Sequence, residues 1–147
     1  MRIPHNGVVL VADGRKMLFL RNTGDATDPK LEVMEASEQP ARYDRDLKTD
    51  APGRAFASVG TARSAMEEPD YQQIEEDRFA ADAAALLQRH ALQGDYDNLI
   101  VVAPPRTLGE LRKHYHREVA DRLKNEVPKD LTGHPVDAIS RILVGMD

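Results

Sequence analysis

The sequence predicts an α/β fold of three layers, a five-stranded mixed sheet in the order 3-2-1-4-5 with helices on both faces. Three observations carry that expectation. The first 36 residues alternate apolar runs with turn residues, as a three-stranded antiparallel meander does. A second wholly apolar run, Leu99 to Ala103, follows a helical pattern and reads as a buried parallel strand reached through a helical crossover. The chain then closes on Val136, Ile139, Ile142 and Leu143, one face of an amphipathic helix. Right-handed crossovers place the later strands beyond the first.

Taken in order, Gly7 to Ala12 is continuously apolar, the mark of a central strand covered on both faces. Asp13-Gly14 tolerates positive φ and suits a two-residue hairpin turn, after which Arg15 to Arg21 returns with Met17, Leu18, Phe19 and Leu20. Asn22 to Pro29 is a loop by composition, and Leu31 and Val33 give a weaker edge strand ending near Ala36. From Ser37 to Asp70, Pro40, Pro52, Gly53, Gly60 and Pro69 punctuate the chain, and Phe56, Val59 and Met66 are nearly its only large apolar groups. A flexible loop is expected there. Loops of this length inside a domain are usually functional or disordered.

Asp70 with Gln73 resembles a capping box, and Phe79, Ala83, Leu86, Leu87 and His90 then share one helical face until Gly94. His90 is expected at the rim of the core near a helix C-terminus, where a cation is tolerated. Pro104-Pro105 ends the buried strand, and Thr107 with Glu110 suggests a second capping box. Val119, Leu123 and Val127 recur every four residues and favour helix, but Leu123 to Val127 before Pro128 also fits a short edge strand. Periodicity leaves both open. The resulting order is that of the ribonuclease H-like plan, which by itself settles no function.

A chain of 147 residues with 41% hydrophobic and 31% charged content is expected to form a single domain over 1–147. It buries roughly 70% of its unfolded surface without disulfides. It has no cysteine, which removes disulfides, thiolate zinc sites and a thiol nucleophile together. No apolar signal region opens the chain and its apolar runs are far shorter than the roughly 20 residues of a membrane span, so a cytoplasmic location is expected, with no membrane partner.

The net charge of −5 averages over a polarised chain. Glu67, Glu68, Asp70, Glu75, Glu76 and Asp77 are opposed within their block only by Arg78. Residues 106–129 carry seven Lys and Arg against four acids, with His114 and His116 among them. Either block can be a solvated face, the acidic one suiting a helix N-terminus, or a contact surface.

Chemistry by motif is sparse. A two-metal nuclease needs carboxylates on neighbouring strands; Asp13 is a candidate, but Leu99 to Ala103 supplies none. Turn formation is the plainer reading of Asp13. His114-x-His116 converges only on extended backbone and lacks a third ligand. No serine lies in a nucleophile elbow, and neither a dinucleotide fingerprint nor a phosphate-loop lysine is present, so no cofactor and no metal are expected. What remains is Pro52-Gly53-Arg54-Ala55-Phe56, with a glycine for backbone freedom, an arginine for phosphate or carboxylate and an aromatic able to stack or to pin the segment.

Several strings together carry a resemblance: Val-Ala-Asp13-Gly14, Gly53-Arg54-Ala-Phe56, Phe79-Ala80, Ala103-Pro104-Pro105-Arg106-Thr107-Leu108-Gly109-Glu110-Leu111-Arg112, and Lys129-Asp130-Leu131-Thr132-Gly133-His134-Pro135. Over nearly its whole length the chain resembles the bacterial host attachment protein family, the "protein required for attachment to host cells". That family is similar in turn to the central domain of archaeal and eukaryotic peptide chain release factors and of Pelota. The resemblance implies the ribonuclease H-like plan and a fifth strand at Leu123 to Val127. In release factors a Gly-Gly-Gln tip on the long loop positions water against the peptidyl-tRNA ester. No Gly-Gly-Gln follows Gly53 here, and the next glutamines are Gln72 and Gln73 at the expected helix start. The hydrolytic mechanism therefore does not transfer.

Three functions are consistent with these residues. The first is a non-catalytic module contacting the ribosome, rRNA or tRNA through Gly53, Arg54 and Phe56 and through Arg106, Thr107, Arg112 and Lys113, with Asp13 and His134 as further family-motif positions. The second is a hydrolase of a tRNA ester using an unrecognised group, and the third a contribution to attachment through protein partners. The residues lean away from an enzyme.

Overall fold

The computed structural model describes residues 1–39 and 54–146; along 54–71 it describes the backbone alone. Strand β1 (Val8–Ala12) is buried at every position because both its faces are covered. It pairs antiparallel with β2 (Lys16–Asn22) and parallel with β4 (Leu99–Val102), with Val8 opposite Leu99. Strand β3 (Leu31–Glu38) adds antiparallel to β2, and β5 (Leu123–Val127) adds parallel to β4. The sheet order is β3-β2-β1-β4-β5, the expected one, and it is compatible with the ribonuclease H-like plan.

Alternation along the strands divides the core. Val8, Leu10, Phe19, Leu99 and Val101 face helix α1 (Arg54–Leu92) through Phe79, Ala83, Leu86 and Leu87, together with α2 (Pro105–Arg112) and α3 (Arg117–Arg122). Val9, Val11, Leu20, Ile100 and Val102 face α4 (Val136–Val144) through Ile139 and Leu143, with Ile3 and Leu131. Fully burying side chains such as Phe19, Leu87 and Ile139 contributes about 1.5–3 kcal/mol each, so this packing, and not surface pairing, fixes the helices.

Three expectations need correction. The segment read as a loop over 37–70 is strand through Glu38 and helix from Arg54. Alanines 55, 57, 62 and 65 with Met66, Glu67 and Glu68 are strong helix formers, and a helix needs no large apolar groups of its own to satisfy its backbone. Gly53, with the rest of 40–53, lies outside the described residues. Neither capping box forms: residue 70 is inside α1, and α2 starts on Pro104 with Pro105 in its first turn and no side-chain cap. The β1–β2 connection takes three residues rather than two, because the Asp13 carboxylate accepts the backbone N–H groups of both Arg15 and Lys16 at 2.8 Å, while Gly14 stands at φ 120°. The segment 117–127, which periodicity leaves open, contains both readings in succession, α3 followed by β5, the strand that the resemblance implies.

A bulge in β3 has an electrostatic consequence. Leu20 pairs with Val33 but Phe19 with Glu35, so Met34 is an extra residue and Glu35 turns to the α1 face. There its Oε2 accepts from Arg89 and lies 2.7 Å from His90 Nε2; His90 Nδ1 is 2.7 Å from Asp95 Oδ2, and the imidazole stacks on Phe19. His90 is thus at the core rim, as expected. Its hydrogen bond, followed by that of Arg89, holds the Glu35 carboxyl below the ordinary value of 4.5. Such a group stabilises the fold fully above its unfolded value, and the contribution disappears as pH falls through the depressed folded value. Thermal melts of wild type and Glu35→Gln are therefore expected to converge as pH is lowered from 6 towards about 3; a constant gap between them would remove this link from the acid response.

Candidate functional site

The chain leaves β1 towards β2 on one side and leaves β4 towards β5 on the other, so the C-terminal ends of these parallel strands form a topological switch point. Several of the expected site residues meet there. Asp13 ends β1, and its Oδ2 accepts from the hydroxyl of buried Thr132 at 2.9 Å. That hydroxyl also stands 2.8 Å from Asp130 Oδ1, so its single proton serves two carboxylates in turn. The Thr107 hydroxyl lies 3.4 Å from the Asp13 carbonyl, a weak link from α2 to the same turn. Asp13 is therefore a structural bracket between the β1–β2 turn and the segment after β5.

Arg106, second residue of α2, reaches across to α1. Its guanidinium lies 3.2 Å from Glu76 Oε1 and donates to the Gln73 carboxamide oxygen. Gln73 in turn donates to Glu110 at 3.0 Å, and Glu110 holds Lys113 at 3.3 Å. One turn further along α1, Asp77 lies 3.0 Å from His114 Nε2, a bond that holds its carboxyl below the usual range. Arg112 is bound through two nitrogens by Glu126, with a shortest distance of 2.7 Å. The acidic block and the basic stretch, separated by some thirty residues in sequence, thus meet through Arg106–Glu76 and His114–Asp77, while Arg112 and Lys113 pair with acids of the basic stretch itself.

These pairs are shallow. Arg106, Arg112 and Lys113 are 66, 56 and 64% exposed, so each pair is screened by water and exchanges easily for another anion. The two histidines do different work: His116 caps α3 by accepting from the Glu118 N–H, and His114 faces α1. Among the described residues no group of three or more His, Asp or Glu side chains could hold a metal ion. His134 is exposed in the turn before α4, two residues after Thr132, and its backbone N–H donates to the Leu131 carbonyl at 3.1 Å. Arg54 and Phe56 lie in the first turn of α1.

Sequence reasoning missed Gln73, Glu76, Asp130 and Thr132. The acidic block was a visible signal for Glu76 and the Lys129–Pro135 string for Asp130 and Thr132, while Gln73 was read only as part of a capping box.

The five strands, the Asp13-Gly14 and Arg106-Thr107 strings and the Lys129–Pro135 segment that Thr132 ties to Asp13 all fall within residues 6–143, which match one family model. The chain belongs to the bacterial archaeo-eukaryotic release factor family 12. None of the curated proteins matches it. Membership in this release factor family points to a role related to translation or to the ribosome. Among the described residues of the family 12 domain, no helix is long and apolar enough to cross a membrane.

Proposed function

We propose that this release factor family 12 domain is a non-catalytic binding module that acts at the ribosome or on tRNA. The observation that carries the reading is the family match over residues 6–143 in a chain where no Gly-Gly-Gln follows Gly53. The binding surface in this reading combines Gly53 with Arg54 and Phe56, the latter two in the first turn of α1, and with Arg106, Thr107, Arg112 and Lys113. Its 39 residues make α1 about 58 Å long against about 17 Å for a five-residue strand, so the helix cannot lie wholly on the sheet. Arg54 and Phe56 then stand at the end of an arm, with a cation for phosphate and a ring for stacking. The chemistry of the arm, not a nucleophile, is what the reading uses. Its site of action is the cytoplasm, and a contribution to host-cell attachment would follow indirectly, through translation.

Salt-dependent co-sedimentation with ribosomes tests this. With four phosphate contacts, binding is expected to weaken about 50-fold between about 50 and about 200 mM salt. Arg54→Ala with Phe56→Ala is expected to abolish pelleting while leaving the melting curve of the core in place. Salt-insensitive pelleting, or pelleting unaffected by the double substitution, sinks the proposal. Release of amino acid from peptidyl-tRNA by the wild type, lost in the same double variant, would establish the hydrolase instead.

A further inference from the structure

The Glu76 carboxylate stands on the Arg106 guanidinium beside the β1–β2 turn, and the geometry there is that of an anion already seated. Its Oε1 is 3.2 Å from Arg106 Nη2, and its side chain passes beside Gly14, where a Cβ would come within 3.6 Å of it. The absent side chain at Gly14 leaves room at this point, and the Thr107 hydroxyl lies on the same turn through the Asp13 carbonyl. We propose that Glu76 is an internal occupant of an RNA-phosphate site centred on Arg106, and that a phosphate of bound RNA displaces it. This rests on the reading of the domain as an RNA-binding module and adds to it an autoinhibitory contact.

Three features support displacement over a fixed structural pair. The Glu76 and Arg106 side chains are 29% and 66% exposed, so their pairing is weak and open to competition from solvent-borne anions. A phosphodiester offers the guanidinium two oxygens, whereas Glu76 engages it through one. Gln73 accepts from the same Arg106 nitrogen and is itself anchored to Glu110, so the guanidinium stays oriented when the carboxylate leaves. Glu75, one residue earlier on the same helix, pairs instead with Arg78 at 3.8 Å and provides a control of equal charge.

The test is the affinity of the full chain for a fluorescein-labelled tRNA transcript, read by anisotropy at about 50 mM salt. Glu76→Gln is expected to bind about 5- to 10-fold more tightly than wild type, as removal of one charge within about 4 Å of a phosphate implies. Glu75→Gln is expected to change affinity less than about twofold, since it removes the same charge farther from Arg106. In an Arg106→Ala background the gain from Glu76→Gln is expected to vanish. If wild type binds but Glu75→Gln matches Glu76→Gln, or if the gain survives Arg106→Ala, the internal-occupant proposal is overturned while the binding function stands. If neither wild type nor Glu76→Gln binds, the RNA-binding reading falls and takes this proposal with it.

Discussion

Asn22→Ala is expected to lower the thermal midpoint by about 6–12 °C, the largest loss from any single polar side chain of the core. Asn22 is 0% exposed and serves five backbone groups. Its amide donates to Ile3 O at 2.8 Å and Asp25 O at 3.2 Å, with Pro4 O at 3.3 Å, and its carbonyl accepts from Gly24 N at 2.9 Å and Lys30 N at 2.8 Å. Truncation leaves several of these buried and unpaired, at about 1–3 kcal/mol for each group that water cannot reach. A net loss of about 3 kcal/mol converts at about 2–4 °C per kcal/mol for a domain of this size. The loop cannot easily close over the gap, because at Gly24 even a Cβ would approach Asp28 O to 2.4 Å. Asn22→Asp is expected to be as damaging, since a carboxylate donates nothing to Ile3 or Asp25. Urea unfolding of both variants checks the energy directly, and a shift below about 3 °C for either would show that the network is not what holds residues 22–30 to the N-terminal segment.

Asp13→Ala is expected to cost about 2–3 kcal/mol, whereas Asp13→Asn is expected to cost less than about 1 kcal/mol. The alanine variant strands the N–H groups of Arg15 and Lys16 and frees the Thr132 hydroxyl from the turn. Asparagine keeps an acceptor for the two N–H groups, and the Thr132 hydroxyl retains Asp130 at 2.8 Å. The pair separates a bracket from a chemical role. A bracket predicts that stability and ribosome pelleting fall together in Asp13→Ala and persist in Asp13→Asn. Equal damage from both substitutions, with melting unchanged, would mean that the charge itself is used.

The sheet was legible because its signals are local. Gly7 to Ala12 and Leu99 to Ala103 are apolar without a break, and a strand buried on both faces can be written in no other way. Phe79, Ala83, Leu86 and Leu87 placed α1 on the sheet correctly by their spacing. The start of α1 was not legible. Proline and glycine between 40 and 69 outweighed the alanines in a reading by punctuation, although backbone hydrogen bonds carry a helix across a stretch with little to bury. The bulge at Met34 was equally hidden, because the parity of one strand is decided by its register on the next.

At the candidate site the residue types were visible and their partners were not. Arg106, Arg112 and Lys113 were read as a basic stretch available to phosphate, yet each meets a carboxylate, at Glu76, Glu126 and Glu110. Asp13 was correctly a turn residue, but its second oxygen is engaged by Thr132, 119 positions away.

By itself the sequence determined the order of the first four strands, the faces of the helices and the absence of any cysteine chemistry, since hydrophobic period and composition are properties of short windows, and the fifth strand rested on the resemblance. The tertiary structure alone decided that Glu76 and Asp77 meet Arg106 and His114, that Glu35 turns towards His90, and that Asn22 carries a loop. Those outcomes depend on which distant groups come within hydrogen-bonding reach, and Coulomb and hydrogen-bond energies are set by separations in space that spacing along the chain does not encode.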